Sequence, residues 1–177
     1  MKKDLVSLFE LEESDIHRIL QRTVYFKRSN PEGYYPLKGK GLGMIFYKPS
    51  TRTRVSFEVA VYQLGGYPLF LRAEELQVGR GEAIKDMARV LSRYLNGIIM
   101  RTYAQSDIEE LATHATIPVI NALSDLYHPC QILADIFTIQ EKFSSYQGIK
   151  IVYIGDGNNI AHSWLAAAAK LGINLSI

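Results

Sequence analysis

"FYKPSTRTRVSFEVA", Phe46 to Ala60, changes character twice within a few residues. An apolar run stops at Pro49, and the next five residues, Ser50 to Arg54, supply three hydroxyls and two guanidinium groups. Apolar residues then return at helical spacing through Val55, Phe57, Val59, Ala60 and Leu64. The pattern is that of a strand running into a helix, with Ser50 at the N-cap. In an α/β protein such a junction lies at the carboxyl end of a strand, where helix N-termini gather and ligands collect. Backbone N–H groups, the helix dipole, the hydroxyls of Ser50, Thr51 and Thr53 and the fork of Arg52 all favour an anion there, phosphate first. The plainer alternative is that Ser50 only caps the helix and both arginines are solvated. Because residues two apart do not share a helix face, Arg52 is assigned to the anion and Arg54 to a structural role.

The flanking sequence repeats the same grammar. "LEESDIHRILQRTVYFKRSN" places Leu11, Ile16, Ile19, Leu20 and Val24 at helical spacing, which predicts an amphipathic helix N-capped by Ser14. "SNPEGYYPLKGKG" punctuates with Pro and Gly, "LGMIFY" reads as a short buried strand, and the helix from Ser50 closes at Gly65 and Gly66. There follow a strand "YPLFLR", a helix "GEAIKDMARVLSRYLN", a strand "GIIMR", a helix "SDIEELATHA" and a strand "IPVINA". This alternation predicts an α/β fold, a parallel sheet flanked by helices on both faces, with strands apolar enough for burial on both sides. "PCQILADIFTIQEKF" predicts a further helix with Pro129 at its first position. After Gln147 and Gly148, "IKIVYIGDGNNIAHSWLAAAAKLGINLSI" opens a second, Rossmann-like α/β domain, so the expected domains are 1–145 and 146–177.

Composition narrows the partners. The 177 residues, 47% hydrophobic, are ordinary for a soluble globular protein. A net charge of +2, with the basic residues scattered, argues against nucleic acid or membrane as partner, so any positive site is local. The single cysteine, Cys130, excludes an internal disulfide or a cysteine metal cluster and fits a reducing cytoplasm. "MKKDLVSLFELEESD" is interrupted by acidic residues too early for a signal peptide, and no apolar run reaches about 18 residues.

Other positions could carry chemistry. Arg101 ends "GIIMR" and would lie along the same sheet edge as the Ser50 turn, unless it is only a surface charge. In "YHPCQ", His128 and Gln131 lie three apart across a helix start and could face one ligand, the ring giving an N–H and the amide a carbonyl; a lone His before Pro is otherwise a loop residue. Cys130 has apolar neighbours and no base beside it, so packing is the better assignment. "RAEELQVGRGEAIKD", with Gln77, Arg80 and Lys85 and the loosening glycines Gly79 and Gly81, reads as a lid, an inter-subunit arm or an ordinary connection. "GDGNNI" has the first two glycines of a dinucleotide fingerprint, but Ile160 replaces the third, and the turn could instead serve a small ligand through Asn158 or Asn159.

Taken together, "FYKPSTRTRVSFE", "MRTYAQ", "HPCQILAD" and "YIGDGNN" resemble, in order and at compatible spacing, the aspartate and ornithine carbamoyltransferase superfamily. The likeness runs over essentially the whole chain. Lys48 before Pro49, the wording "HPCQ", and "LQVGRGE" with its Gln77 are similar to the ornithine branch. The resemblance implies transfer of the carbamoyl group of carbamoyl phosphate to the δ-amine of ornithine, giving citrulline and phosphate in arginine metabolism. It implies that Ser50, Thr51, Arg52 and Thr53 bind the phosphate together with Arg101, and that Thr53, Arg101 and His128 polarise the carbonyl oxygen. Gln131 would hold the carbamoyl nitrogen, Asn159 would contact the amino-acid part of ornithine, and Gln77 would reach into a neighbouring subunit of a trimer-based homo-oligomer. No metal or organic cofactor is implied.

Family members continue well past the second strand of their second domain. By the resemblance, residues 1–145 form the carbamoyl phosphate-binding domain and residues 146–177 the incomplete beginning of the ornithine-binding domain. The 177 residues alone are then expected to bind carbamoyl phosphate and to form little or no citrulline. Alternatives are a carbamoyltransferase for another amine, such as putrescine or acetylornithine, and a non-catalytic module that binds phosphate or associates with other chains. A dinucleotide-binding domain around "GDGNN" is the weakest, because its acidic ribose partner would be sought roughly 20 residues on, near Ile177.

Overall fold

The computed structural model describes residues 3–29, 33–77 and 81–177. Its elements in chain order are α1 (Glu13–Ser29), β1 (Gly41–Phe46), α2 (Thr51–Gln63), β2 (Tyr67–Arg72), a 3-10 turn (Ala73–Glu75), α3 (Ile84–Tyr94), β3 (Gly97–Arg101), α4 (Gln105–His114), β4 (Val119–Leu123), α5 (Pro129–Phe143), β5 (Lys150–Val152), α6 (Asn159–Leu171) and β6 (Asn174–Ser176). The α/β alternation read from sequence is observed. Contacts divide the chain into two compact units, Met1–Val6 with Gly33–Ser124, and Ser7–Glu32 with Asp125–Ile177. This division follows contact rather than chain order, so α1 and α5 group with the βαβ segment instead of with the residues that lie between them.

In the first unit four strands pair in parallel in the order β2-β1-β3-β4. Successive strand residues point to opposite faces, and two cores result. Ile45, Ile98, Met100 and Val119 pack with Met87 and Ala88 of α3 and Ile108 and Leu111 of α4. Met44, Phe46, Ile99 and Ala122 form the other face, against Phe57 and Val61 of α2. Burial on both sides is why these strands read as unbroken apolar runs.

Three local readings change. Ser14 lies inside α1, not at its cap: the helix starts two residues earlier than that cap implies, with Glu12 just before Glu13, and Asp15 reaches back, its Oδ2 accepting the Glu12 N–H at 3.3 Å while the Asp15 N–H bonds the Glu12 carbonyl at 2.9 Å. The helix expected from Gly81 begins at Ile84, after Ala83, which offers no side-chain cap. On α2, Val55 and Val59 are 50% and 45% exposed, and only Val61 is buried. The inward stripe is Phe57 and Val61, four apart; Val55 and Val59 form a second apolar row on the outer side.

The expected stop at Gly65 and Gly66 is a Schellman motif. The Gly66 N–H bonds the Val61 carbonyl and the Gly65 N–H the Tyr62 carbonyl, each at 2.9 Å. Gly65 has φ +82°, and a Cβ there would stand 2.7 Å from Tyr35 Cβ. Both the left-handed backbone and the contact require glycine.

In the second unit α1 and α5 are joined by Lys27 to Glu141 at 2.8 Å and by His17 Nε2 to the Tyr146 hydroxyl at 2.6 Å. α5 buries Ile132, Leu133, Ile136 and Phe137, and Pro129 stands in its first turn. β5 and β6 pair in parallel across α6, which ends at Gly172 with φ +64°.

Gly65→Ala is expected to lower the unfolding free energy by about 1–3 kcal/mol through backbone strain and the Tyr35 contact. Urea denaturation checks this, with the parent chain as reference.

Candidate functional site

The strand order places a switch point between β1 and β3, because the chain leaves β1 toward β2 on one side and later returns to β3 on the other. At the carboxyl ends flanking such a point, connections diverge to opposite faces and leave a crevice. Ser50 follows β1, and Arg101 ends β3 in register with Phe46. Both sequence candidates therefore flank the switch point.

The Ser50 turn has the expected cap geometry. Ser50 is extended, φ −163° and ψ 110°, and its Oγ accepts the Thr53 N–H at 3.3 Å. Helix geometry leaves the N–H groups of Thr51 and Arg52 without an intrahelical acceptor. Ser50 and Thr51 line a cleft of about 570 Å³ together with Lys48, Arg54, Arg72 and Phe70. Thr53 is half-buried beside it, its N–H committed to the cap.

The two arginines of the turn separate. Arg54 Cζ lies 3.6 Å from the centre of the Phe70 ring, and its Nε donates to Glu58 Oε1 at 3.0 Å. Phe70 in turn packs against Phe46 with ring centres 5.7 Å apart. Arg54 thus fastens α2 to β1 and β2. Arg52 is exposed on the outer side of α2, beside Val55 and Val59.

Arg101 is half-buried, and its Nε is buried without a hydrogen-bond partner among the described residues. Burial lowers its pKa from the ordinary arginine value. A guanidinium so placed stays charged, and an anion offsets the cost of taking that charge out of water. Tyr47, on the opposite face from Phe46, has a buried hydroxyl without a partner among the described residues; burial first, and then the Asp107 carboxylate, raise its pKa. Lys48 Nζ stands 4.3 Å from the centre of the Tyr103 ring. Sequence reasoning missed Tyr47 as a polar group because its neighbours are apolar strand residues; Lys48 was noted only as a family marker.

The remaining candidates lie elsewhere. His128 is the N-cap residue of α5, and its backbone N–H donates to Ser163 Oγ at 2.8 Å. Gln131 is exposed one turn on; its Nε2 donates to Asp135 Oδ1 at 2.8 Å, which holds the amide so that its carbonyl oxygen faces away from that bond. Burial raises the Asp135 pKa and the Gln131 bond opposes the rise. Cys130 is packed at the helix start, with burial pushing its thiol up to about 12. Asn159 opens α6 directly after Asn158, whose Oδ1 accepts the Ile160 and Ala161 N–H groups at 2.9 and 3.4 Å. That cap occupies the N–H groups a dinucleotide pyrophosphate would use, a physical reason against the nucleotide alternative. Gln77 is exposed, its carbonyl accepting the Glu82 N–H at 3.1 Å, while Gly79 and Arg80 lie outside the described residues. Among the described residues no group of three or more His, Cys, Asp or Glu is placed to hold a metal ion, and no helix is long and apolar enough to cross a membrane.

A family model for the aspartate/ornithine carbamoyltransferase carbamoyl-P binding domain matches residues 3–141. An ornithine carbamoyltransferase of Syntrophus aciditrophicus is 59% identical over 179 residues, covering 100% of this chain and 59% of that protein. One of Oceanobacillus iheyensis is 54% identical, covering 98% and 54%. The structure of ornithine carbamoyltransferase from Pyrococcus furiosus superposes with a TM-score of 0.91 at 51% identity, covering 98% of this chain and 56% of that one. The chain thus spans between 54% and 59% of the length of these relatives.

Two outcomes are expected at these residues. Arg54→Ala removes the Phe70 stack and the Glu58 pair and costs about 1 kcal/mol of stability while phosphate affinity stays within about twofold; denaturant melts and calorimetric titration check both. With its thiol pKa pushed up by burial, Cys130 is expected to react with iodoacetamide at pH 8 much more slowly than a small free thiol. Alkylation of the folded chain within tenfold of a small free thiol would contradict the raised pKa.

Proposed function

The chain belongs to the aspartate/ornithine carbamoyltransferase family, and from that premise we propose that it holds carbamoyl phosphate for transfer to the δ-amine of ornithine, with citrulline and phosphate as products. The observation that carries this reading is the capped N-terminus of α2 together with the half-buried, charged Arg101, its Nε unpartnered among the described residues, at the switch point. An anion seated there meets the Thr51 and Arg52 N–H groups, the hydroxyls of the turn and the helix dipole. We assign the phosphate to Ser50, Thr51, Arg52, Thr53 and Arg101, with Arg52 turning inward from its exposed position when the anion binds. Residues 1–145 are accordingly the carbamoyl phosphate-binding domain, and 146–177 begin the ornithine-binding domain.

The chemistry needs little beyond placement and charge. Attack by the δ-amine on the carbonyl carbon builds negative charge on the carbonyl oxygen, and donors fixed toward that oxygen favour the transition state over the ground state. Thr53, Arg101 and His128 are our candidates for those donors. Gln131 accepts from the carbamoyl nitrogen; its bond to Asp135 leaves the carbonyl oxygen as the end offered to an N–H. Phosphate leaves already neutralised, while the amine loses its proton. Asn159 is assigned to the amino-acid part of ornithine.

We further propose a homo-oligomer built on a trimer, in the cytoplasm and serving arginine metabolism, with Gln77 reaching a neighbouring subunit. The exposed Val55, Val59 and Tyr62 on α2 support self-association, since a row of apolar residues on a helix surface is best covered by another chain.

Arg52→Ala is expected to weaken binding of phosphate or carbamoyl phosphate by about 1.5–3 kcal/mol, the worth of a hydrogen bond to a charged group. Calorimetric titration checks it, and an affinity equal to the parent's removes Arg52 from the site. Because the chain spans 54–59% of these relatives' length, we expect it to form little or no citrulline by itself; in a carbamoyl-transfer assay offering ornithine, putrescine and acetylornithine in parallel, citrulline at roughly 1 per second or faster overturns that expectation, and preference for either rival amine overturns the ornithine assignment.

A further inference from the structure

Arg101 occupies an irregular strand end. β3 and β4 pair Met100 with Asn121 but Arg101 with Leu123, so Ala122 is an extra residue on β4 and the ladder is broken beside Arg101. A bulge of this kind re-aims the side chain next to it and loosens the pairing that would otherwise hold it. What holds the backbone instead is a set of bonds on either side. The Arg101 carbonyl accepts the Tyr47 N–H at 2.8 Å, and the Thr102 N–H reaches the Leu123 carbonyl at 3.0 Å.

The next bond has no place in the ladder. Thr102 is 1% exposed, and its Oγ1 donates to Asp107 Oδ2 at 3.0 Å. Asp107 lies in the first turn of α4, whose N-cap residue Ala104 makes no side-chain bond. Its negative charge there is favoured by the helix dipole, and a buried hydroxyl donating to a carboxylate is a charge-assisted bond. One carboxylate therefore ties the start of α4 to the residue that follows Arg101.

We propose that Thr102 and Asp107 are positioning residues for Arg101: their hydrogen bond fixes the bulged end of β3 so that the guanidinium keeps one direction at the switch point. The inference rests on Arg101 being an anion ligand, as proposed above. Thr102 does not touch the anion; it acts through the backbone it shares with Arg101. Without the bond, the bulge leaves the strand end held by backbone pairing alone, and a half-buried guanidinium lacking a partner for its Nε samples other directions. Small displacements of such a group cost disproportionately in binding and rate.

Three variants of the 177-residue chain test this: Thr102→Val, which keeps the shape and removes the hydroxyl, Thr102→Ser, which restores it, and Asp107→Asn, which keeps the shape and removes the charge. Inorganic phosphate is titrated calorimetrically, and the Arg101 Nε–H is followed by nitrogen-15 NMR without ligand. Thr102→Val is expected to weaken phosphate binding about tenfold, Asp107→Asn to act in the same direction, and Thr102→Ser to stay within about twofold of the parent. The buried Nε–H of the parent and of Thr102→Ser should exchange slowly, and that of Thr102→Val should exchange fast. Lowered stability with unchanged affinity and an unchanged Nε–H signal shows a merely structural bond and overturns the proposal. If the parent fails to bind phosphate, the anion-site reading falls, and the NMR comparison still decides whether the bond positions Arg101. Should Thr102→Val not fold, the same two readouts on Asp107→Asn decide: parent-like values overturn the proposal.

Discussion

The parallel pairing of β1 with β3 is the constraint on which the rest of the first unit depends. It sets Phe46 beside Arg101 and carries the Ser50 turn to the same edge as the end of β3. It also divides the connections. α2 leaves β1 over the face of Met44 and Phe46, while α3 and α4 cover the face of Ile45 and Met100. Two helices sent to opposite faces cannot both lie over the strand ends, so a crevice opens where they part. A different register by one residue would exchange the two faces of β3, burying Arg101 in an apolar core and freeing an apolar side chain at the edge.

Charge explains why the crevice suits an anion. The N-terminus of α2 brings a partial positive charge and no acidic residue in its first turn. Arg101 adds a full charge whose Nε is out of water, and Lys48 and Arg54 line or adjoin the same edge. Glu58 offsets Arg54 through their bond at 3.0 Å, whereas the Arg101 Nε has no hydrogen-bond partner among the described residues. With a net charge of only +2 over the chain, the positive character is a property of this edge and not of the surface at large.

Much of this was legible in the residues, and what was not had a common cause. The alternation of strand and helix, the Ser50 cap, the glycine stop after α2 and the place of Arg101 at a strand end all depend on local chemistry, and each has a local signature. The strand order does not. Nothing in "YPLFLR" or "GIIMR" says that the first pairs on one side of β1 and the second on the other, because both are equally apolar. The outward row of Val55 and Val59 was misread for the same reason: apolar residues on two sides of one helix look like one broad stripe until the sheet shows which side it covers. The start of α1 at Glu13, with Asp15 reaching back to Glu12 and Ser14 inside the helix, shows the limit of cap rules, since several side chains in "EESD" can serve and only the backbone decides. The roles of His128, Gln131, Gln77 and Asn159 come from resemblance, and their geometry bears on them only locally, as when Asp135 takes the donor end of Gln131.

The Ser50 to Arg54 segment also separates stability from ligand contact within five residues. Each residue along a helix turns the side-chain direction by about 100°, so alternate positions face nearly opposite ways. Thr53 and Arg54 are half-buried, one tied into the cap through its N–H and the other stacked on Phe70. Thr51 and Arg52 are exposed. The inward pair holds the first turn of α2 against the sheet whether or not an anion is present. Substituting Arg54 by Lys would keep the charge and lose the planar stack on Phe70, so the first turn would loosen although the electrostatics near the terminus were preserved. In this turn, geometry and charge act through different side chains, and the spacing of two residues between the arginines is what makes that possible.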